Sequence, residues 1–344
     1  MIALTCISLC DFQYPLAGKN DMQSTSFAKM LTFTGLLAFQ LLGLQAHSQS
    51  GQQYEADPLY GRVSIAHGGA SQYLPFSSMP AFKAAISMAA DYIETDVQLT
   101  KDGILICFHD LSLERSTNVE QVFPNRFAEI SIDGAAAKTW YTNDFTLAEI
   151  KQLDYGSSFA AEFSKEHIVS FQELIDIAKG KVGLYPETKD STFYHGRGLN
   201  IDLALHELFV ENDLHTQQGQ QGTPIVIQSF SESSLKKLRE LGGDNYALLQ
   251  LVWPTQDIDY MSNAGLAHVA TYADGIGPYL SAVLPPNLDR IEAAHNEGLW
   301  IHVWQSTEKF PPSGYTSQSY MRYLMDTLGI DGVMNHEPDK FPQP

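Results

Sequence analysis

Apolar and polar positions alternate along the stretch of residues 92–110. Its sequence, YIETDVQLTKDGILICFHD, predicts a strand, a tight turn at Lys101-Asp102-Gly103, and a second strand that ends at His109-Asp110. Residues two apart in a strand point to the same side, so Glu94 and Asp96 project together. Two carboxylates on one face, with a histidine at the end of the next strand, form half of a metal and acid/base site.

A pair of acids on a strand is more often a solvated edge than a functional site. Here the pair lies between apolar runs, Tyr92-Ile93 before it and 104–108 after it. A solvated edge is not expected between two buried strands. We therefore predict that the two carboxylates have a function.

From residue 62 onward, short strands alternate with helices. Strands are predicted over 62–67, 92–100, 104–109, 182–189, 224–230, 246–253, 275–278, 299–305 and 332–335. Helices are predicted over 79–90, 145–153, 170–179, 199–212, 233–241, 287–297 and 318–328. This alternation predicts an α/β fold with parallel strands and helical crossovers, and about eight units suit a TIM (β/α)8 barrel. An open doubly wound sheet is the alternative, although no G-x-G-x-x-G fingerprint follows the first strand.

The alternation stops over residues 111–165, which are polar and contain few periodic segments. We predict that they form a small insertion after the second or third strand, which covers one face of a single barrel domain that spans 60–344.

Residues 1–48 are expected to be an N-terminal extension and signal peptide. Lys29, the apolar run 31–44 and a small-residue site that ends at Ser48 predict cleavage and secretion. A membrane anchor is the alternative, but the run is shorter than the roughly 20 residues that a span needs.

Composition narrows the possible partners. The net charge of −19 argues against nucleic acid and against anionic membranes as partners. It also makes an anionic substrate difficult to bind unless a cation is present locally, and a divalent metal ion would meet that need. Of the three cysteines, only Cys107 would remain after cleavage, so we expect no internal disulfide and a small buried side chain.

In a barrel, functional residues collect at the carboxyl ends of the strands. Three carboxylates from neighbouring strands can converge there, and all-oxygen ligands suit Ca²⁺ or Mg²⁺ rather than Zn²⁺. Two histidines would flank that ion and could act as base and acid in an in-line displacement at phosphorus. The other histidines are interpreted as structural. The predicted strand-end set is His67, Glu94, Asp96, His109, Glu187, Lys189, Gln228, Trp253 and Trp304.

Several short motifs, in this order, resemble the glycerophosphodiester phosphodiesterase family over about residues 62–340. Two further motifs, Tyr73-Leu-Pro75 and Tyr272-Ala-Asp-Gly-Ile-Gly-Pro278, are similar to its bacterial periplasmic branch. The motifs that carry the family resemblance are His67-Gly-Gly, Tyr92-Ile-Glu-Thr-Asp-Val97, Thr100-Lys-Asp-Gly103, His109-Asp110, Pro186-Glu-Thr-Lys189, Gln228-Ser-Phe230 and the closing Gly329-Ile-Asp-Gly-Val-Met-Asn-His-Glu-Pro-Asp339.

The resemblance implies a TIM barrel with an insertion and hydrolysis of glycerophosphodiesters to sn-glycerol 3-phosphate and an alcohol. It also implies that a glycerol hydroxyl attacks phosphorus first, giving a cyclic phosphate that water then opens. The resemblance further implies a small-molecule substrate and, together with the predicted signal peptide, a periplasmic protein. The short apolar run leads us to expect no stable membrane anchor.

The same resemblance assigns roles to the strand-end residues. One divalent cation, Ca²⁺ or Mg²⁺, would be held by Glu94, Asp96 and Glu187, and the acid/base pair would be His67 and His109. Lys189 would hold phosphate oxygens. Phe230 and Trp304 would pack on the glycerol or its alcohol partner, and Gln228 is included in the substrate-binding set.

Two positions depart from the family pattern. The family has an arginine where this chain has Gly68, and a glutamate in the segment where this chain has Phe76. Loss of a bidentate guanidinium removes a contact with phosphate of about 1.5–3 kcal/mol. We expect a shifted substrate preference or a compensating cation, with Lys189 and Arg197 as candidates.

Two other functions remain open at this point. A related barrel could act on lysophospholipid or sphingolipid headgroups, and an apolar rim around Leu74 and Phe76 would favour it. A degenerate, non-catalytic binding barrel is the other alternative. The full set of three carboxylates and two histidines counts against a binder, which would not need it.

Overall fold

A computed structural model describes residues 59–304 and 311–342, so the predicted extension and signal peptide lie outside the described residues. The strands are β1 (Val63–His67), β2 (Tyr92–Leu99), β3 (Leu105–Cys107), β4 (Ala128–Ile132), β5 (Ala135–Thr139), β6 (Gly183–Thr188), β7 (Val226–Ser229), β8 (Ala247–Val252), β9 (Gly275–Pro278), β10 (Trp300–Val303) and β11 (Gly332–Asn335). The helices are α1 (Met79–Ser87), α2 (Val119–Val122), α3 (Leu147–Ile150), α4 (Phe171–Ala178), α5 (Ser191–Gly196), α6 (Ile201–Glu211), α7 (Glu232–Gly242), α8 (Asn263–Val269), α9 (Asp289–Asn296) and α10 (Ser317–Asp326).

Eight parallel strands close into a barrel. The order runs β1, β2, β6, β7, β8, β9, β10 and β11, and β11 pairs in parallel with β1. This closure confirms the predicted TIM barrel and excludes the open doubly wound sheet, in which the two edge strands would not meet.

The alternation in β2 works as the sequence predicts. Tyr92 packs inside the barrel with Tyr185 and Trp300, whereas Ile93 and Val97 belong to the apolar layer between the strands and the helices. Because side chains alternate along a strand, Glu94 and Asp96 share the interior face with Tyr92. Large aromatic rings therefore fill one part of the interior, and carboxylates lie further along β2 towards its carboxyl end.

The segment after β2 leaves the barrel. β3 pairs with β2 in antiparallel fashion, with Val97 opposite Cys107, and the predicted tight turn joins them. The chain that follows packs around its own apolar cluster, which includes Phe108, Trp140 and Phe145. The β4–β5 hairpin in this segment was not predicted. It is short and mostly exposed, so it lacks the apolar alternation by which strands are recognised.

Helix ends differ from the sequence prediction where the backbone changes direction. Helix α1 ends at Ser87 rather than 90, because Ala89 adopts a left-handed conformation with φ of 58°. Helix α4 begins directly after Ser170, the first residue of the predicted capping box, in which Ser170 and Glu173 bond to each other's backbone. Helices α2, α5 and α8 were not predicted, and Cys107 is buried, as expected. Among the described residues, no helix combines the length and apolar character needed to cross a membrane.

The interior aromatic layer leads to a stability prediction. A Cβ atom on Gly275 would lie 2.2 Å from the ring of Trp300, whereas a Cβ on Gly196 would meet nothing within 4 Å. We expect Gly275→Ala to lower the free energy of unfolding by about 1–3 kcal/mol through overpacking. The matched control, Gly196→Ala, should be neutral or slightly stabilising, and urea denaturation measures both. Equal stabilities for the two variants would contradict this view of the barrel interior.

Candidate active site

Strand register brings the predicted site residues to one level of the barrel. His67 pairs with Glu94 across β1 and β2, and Asp96 pairs with Glu187 across β2 and β6. Glu187 in turn pairs with Gln228 on β7. Because all four strands are parallel, these residues share the carboxyl-terminal end of the barrel, where TIM-barrel active sites lie.

Three carboxylates converge at this level. One oxygen from each of Glu94, Asp96 and Glu187 lies within 4.8 Å of the others, and all three residues are buried. A separation of that size is about twice a Ca²⁺–oxygen distance of 2.3–2.6 Å. Asp96 Oδ2 is buried without a hydrogen-bond partner among the described residues. Buried carboxylates need a counter-charge, so the three acids and this unpaired oxygen fit a hard divalent cation such as Ca²⁺ or Mg²⁺.

Neutral donors hold Glu94 in place. The Gly68 backbone N–H donates to Glu94 Oε2 over 3.1 Å, and Gln228 Nε2 donates to Glu94 Oε1 over 3.0 Å. The sequence assigned Gln228 to substrate binding. In the structure its amide N–H orients a carboxylate of the acidic cluster, which is a contact that strand position alone does not reveal.

Lys189 lies against the same cluster. Its Nζ is 3.2 Å from Glu187 Oε1 and 3.4 Å from Asp96 Oδ1, and 19% of the side chain is exposed. Burial alone would lower the pKa of Lys189, but these two carboxylates raise it, so the ammonium is charged. Lys189 therefore offsets part of the negative charge while its exposed part faces the mouth of the barrel.

The acids differ in their proton affinity. Burial and the charges of Asp96 and Glu187 raise the pKa of Glu94 well above its ordinary value. Burial also raises the pKa of Glu187 to about 7 in spite of Lys189. For Asp96, burial is outweighed by Lys189 and the two histidines, and the net shift of its pKa is downward. Without a cation, the cluster therefore cannot hold three full negative charges at neutral pH.

The two predicted catalytic histidines have different partners. His109 Nδ1 bonds to Asp110 Oδ1 over 2.7 Å, and Arg115 holds that carboxylate with two donors. These contacts overcome burial and lower the pKa of Asp110 to about 2. His67 instead has an imidazole partner, His336, whose Nε2 is 3.2 Å from His67 Nδ1. Sequence interpretation gave no role to His336, Asp110 or Arg115, although Asp110 directly follows a predicted catalytic histidine.

His67 also faces the acidic cluster. Its Nε2 lies 3.7 Å from Glu94 Oε2, and 30% of the side chain is exposed at the mouth. Burial is the largest influence on its pKa and lowers it to about 4, helped by the charges of His109 and Lys189 and opposed by Asp96. The neutral imidazole is therefore the expected form of His67.

The two departures from the family pattern contact each other. Gly68 has φ of 62°, and a Cβ built there would lie 2.3 Å from Cδ2 of Phe76. The Phe76 ring also packs edge-on against His67, with 4.9 Å between ring centroids. Tyr155 of the insertion donates its hydroxyl hydrogen to the Phe76 carbonyl over 2.6 Å. Phe76 thus fills the space that any side chain at position 68 would need.

The candidate compensating cations lie in different places. The Arg197 guanidinium donates to Asn143 and Asp144 and packs over the rings of Tyr141 and Phe193 at 4.5 Å each. Arg197 is therefore engaged by the insertion and by α5, whereas Lys189 directly contacts the acidic cluster.

An aromatic wall follows the carboxyl ends of four strands, β7 to β10. Trp304 stacks on Trp253 with 4.9 Å between ring centroids, and its ring also contacts Phe230 and Tyr279 edge-on. Phe230 and Trp304 were predicted to contact substrate, and Trp253 was recognised as a strand end. Tyr279 was missed, although it directly follows β9.

Comparisons with known proteins identify the family of the chain. The chain matches the glycerophosphoryl diester phosphodiesterase family over residues 67–340. It is 31% identical to a glycerophosphodiester phosphodiesterase of Bacillus subtilis, with 89% of this chain and 93% of the relative covered. A Haemophilus influenzae glycerophosphodiester phosphodiesterase is also 31% identical, with coverage of 90% and 96%. The fold is similar to an Oleispira antarctica phosphodiesterase solved with the product sn-glycerol 3-phosphate, at a TM-score of 0.60, 22% identity and coverage of 82% and 95%.

The contact between Gly68 and Phe76 predicts energetic coupling. Gly68→Ala should destabilise the protein by about 1–3 kcal/mol through the clash with the ring, in addition to the cost of a left-handed backbone. In a Phe76→Ala background only the backbone cost of Gly68→Ala should remain. Urea denaturation of the wild type, the two single variants and the double variant measures the two costs of Gly68→Ala. Gly103→Ala is the control for backbone cost alone, since Gly103 has φ of 77° and nothing within 4 Å. The same cost of Gly68→Ala in both backgrounds would contradict the coupling.

The raised pKa of Glu187 predicts how stability depends on pH in the presence of EDTA. The folded chain holds the Glu187 proton up to about pH 7, whereas the unfolded chain releases it near the ordinary value of 4.5. Because the folded state binds more protons in that interval, raising the pH from about 4.5 to 7 should lower the free energy of unfolding.

The matched control is Glu187→Gln, which removes the titrating group. Its free energy of unfolding should fall less steeply than that of the wild type over the same interval. If the two proteins show the same pH dependence, or the wild type becomes more stable relative to the variant as pH rises, the assignment is wrong.

Proposed function

The chain belongs to the glycerophosphoryl diester phosphodiesterase family, and we propose that it hydrolyses glycerophosphodiesters to sn-glycerol 3-phosphate and an alcohol with the help of one divalent cation. It is a phosphoric diester hydrolase, as its relatives are. The observation that carries the proposal is the convergence of Glu94, Asp96 and Glu187 on β2 and β6, within 4.8 Å of one another.

The three carboxylates would hold the cation, either Ca²⁺ or Mg²⁺. When bound, the cation would neutralise charge on the phosphate oxygens as the phosphoryl group is transferred. Lys189 would add a second positive charge from the same side, because its Nζ contacts two of the ligands. Both positive charges would favour binding of an anionic substrate by a chain whose net charge is −19.

The partners of the two histidines support separate roles. A carboxylate bound to one ring nitrogen stabilises an imidazolium, so His109, bonded to Asp110, is suited to donate a proton to the leaving alcohol oxygen. His67 has a neutral partner and is suited to take a proton from the attacking hydroxyl. In this first step, a bond forms between phosphorus and the glycerol hydroxyl oxygen, and the bond to the alcohol oxygen breaks.

The second step would reverse these roles. The cyclic phosphate is opened by water, which loses a proton to His109, now neutral, while His67 returns its proton to the glycerol oxygen. The aromatic wall of Phe230, Trp253, Tyr279 and Trp304 would contact the glycerol or the departing alcohol, since it follows four neighbouring strand ends.

A second substrate class is favoured by one observation. Phe76 replaces a polar residue of the family pattern and packs directly on His67, which makes that side of the site apolar. Lysophospholipid-type headgroups, which carry an apolar chain next to the phosphodiester, are therefore the alternative substrates. A non-catalytic binding barrel is disfavoured, since binding alone would not need both imidazoles next to three buried acids.

We also propose that the protein is secreted into a bacterial periplasm. The sequence supports this through Lys29, the apolar run 31–44 and the small-residue site that ends at Ser48.

Activity assays test the proposed function. Purified protein should release sn-glycerol 3-phosphate from glycerophosphocholine with Ca²⁺ or Mg²⁺, and EDTA should abolish the release. Asp96→Asn should lose activity because it weakens the cation site, and His109→Asn should lose about 10²–10⁴-fold in kcat because it removes the acid. A panel with lysophosphatidylcholine separates the two substrate classes.

His268→Gln is the matched control. His268 is 46% exposed and pairs with Glu232, outside the acidic cluster, so its replacement should leave kcat unchanged. Full activity in EDTA would refute the cation requirement. Absence of turnover on every diester, with a folded protein, would favour the binding barrel.

A further inference from the structure

His336 lies beside His67 because of the strand that precedes it. Asn335, the last residue of β11, pairs with Ala66 of β1, so the next residue of each strand is a histidine. The two rings meet at a centroid distance of 4.7 Å and an angle of 71°. His336 is thus placed by the closure of the barrel, and it contacts the nitrogen of His67 that faces away from Glu94.

The hydrogen bonds around His336 form a chain with a defined direction. Ser71 Oγ lies 2.5 Å from the His67 carbonyl oxygen and 2.6 Å from His336 Nδ1. A carbonyl oxygen can only accept, so the Ser71 hydroxyl donates to it and its oxygen is left to accept from His336 Nδ1–H.

The proton position on His336 determines which ring donates in the contact with His67. A neutral imidazole protonated on Nδ1 has an acceptor at Nε2, and His336 Nε2 is 3.2 Å from His67 Nδ1. His67 Nδ1–H must therefore be the donor in this contact. The proton of neutral His67 is thereby assigned to Nδ1, and Nε2, the nitrogen that faces the acidic cluster at 3.7 Å from Glu94 Oε2, keeps its lone pair.

We propose that His336 is a positioning residue that fixes His67 in the tautomer whose Nε2 can accept a proton. The proposal rests on the proposed function, in which His67 takes a proton from the attacking hydroxyl. Burial and the nearby His67 lower the pKa of His336 well below its ordinary value, which agrees with a neutral His336 ring. Ser71 determines which His336 nitrogen carries the proton, and the backbone N–H of Gln72 donates to the His336 carbonyl over 3.1 Å.

The alternative tautomer would not support the reaction. With its proton on Nε2, His67 would present a donor towards the acidic cluster and could not act as base there. A His67 ring protonated on Nε2 has lost its function as base, but the shape of the site is unchanged. Loss of the Nδ1 tautomer should therefore lower kcat rather than raise KM.

Spectroscopy of the wild type tests the proposal directly. Long-range ¹H–¹⁵N correlations distinguish protonated from unprotonated ring nitrogens in protein labelled at histidine. His67→Gln identifies the His67 signals among those of the eleven histidines. The spectra are recorded at a pH high enough for the His67 ring to be neutral, and we then expect its proton on Nδ1, both in EDTA and with Mg²⁺. A neutral ring with its proton on Nε2 would overturn the proposal without any reference to activity.

Two variants at position 336 separate positioning from packing. His336→Met replaces the imidazole with an apolar side chain of similar size that has no strong acceptor. His336→Gln instead places an amide oxygen near the position of Nε2. Loss of a residue that orients a site group typically costs about 10–100-fold, so we expect that fall in kcat for His336→Met with little change in KM. His336→Gln should restore most of kcat, and only His336→Met should show a mixture of His67 tautomers.

The outcomes are distinct from those for the overall reaction. If His336→Met retains wild-type kcat and His67 signals, or if His336→Gln is as impaired as His336→Met while equally folded by circular dichroism, the positioning role is wrong. If the wild type hydrolyses no diester at all, the proposed function fails, and the His67 spectrum still decides the tautomer.

Discussion

Electrostatic repulsion among three buried carboxylates is the constraint on which the site depends. Two unit charges 4 Å apart interact by about 4 kcal/mol at an effective dielectric constant near 20. Strand register imposes this closeness, because Asp96 and Glu187 are direct partners across β2 and β6. Lys189 offsets one charge, and the Gln228 amide and Gly68 N–H stabilise Glu94. The remaining negative charge is what makes a divalent cation a natural occupant, and its position sets where a phosphodiester would bind.

Much of the fold and the acidic cluster could be predicted from the sequence, since both depend on local periodicity. The alternation in residues 92–99 is enough to place Glu94 and Asp96 on one face, and the repeated strand-helix rhythm is enough to indicate a barrel. All the predicted strands are found, although their ends vary by one or two residues. The exposed β4–β5 hairpin lacked that periodicity and was missed.

The contacts between loops could not be predicted in the same way. His336 reaches His67 only because the last strand closes next to the first, some 270 residues away in the chain. Similarly, Phe76 was known to replace a polar residue, but only the structure shows its ring filling the space beside Gly68. The two replacements therefore share a steric explanation, because the Phe76 ring occupies the space that any side chain at position 68 would need.

Binding of divalent cations to the purified protein tests the central claim most directly. Isothermal titration calorimetry with Ca²⁺ and Mg²⁺, after treatment with EDTA, should show one site per chain, and Asp96→Asn should weaken or abolish it while the protein remains folded. Absence of binding by the wild type, or equal affinity for the wild type and Asp96→Asn, would contradict the claim that Glu94, Asp96 and Glu187 share a metal ion.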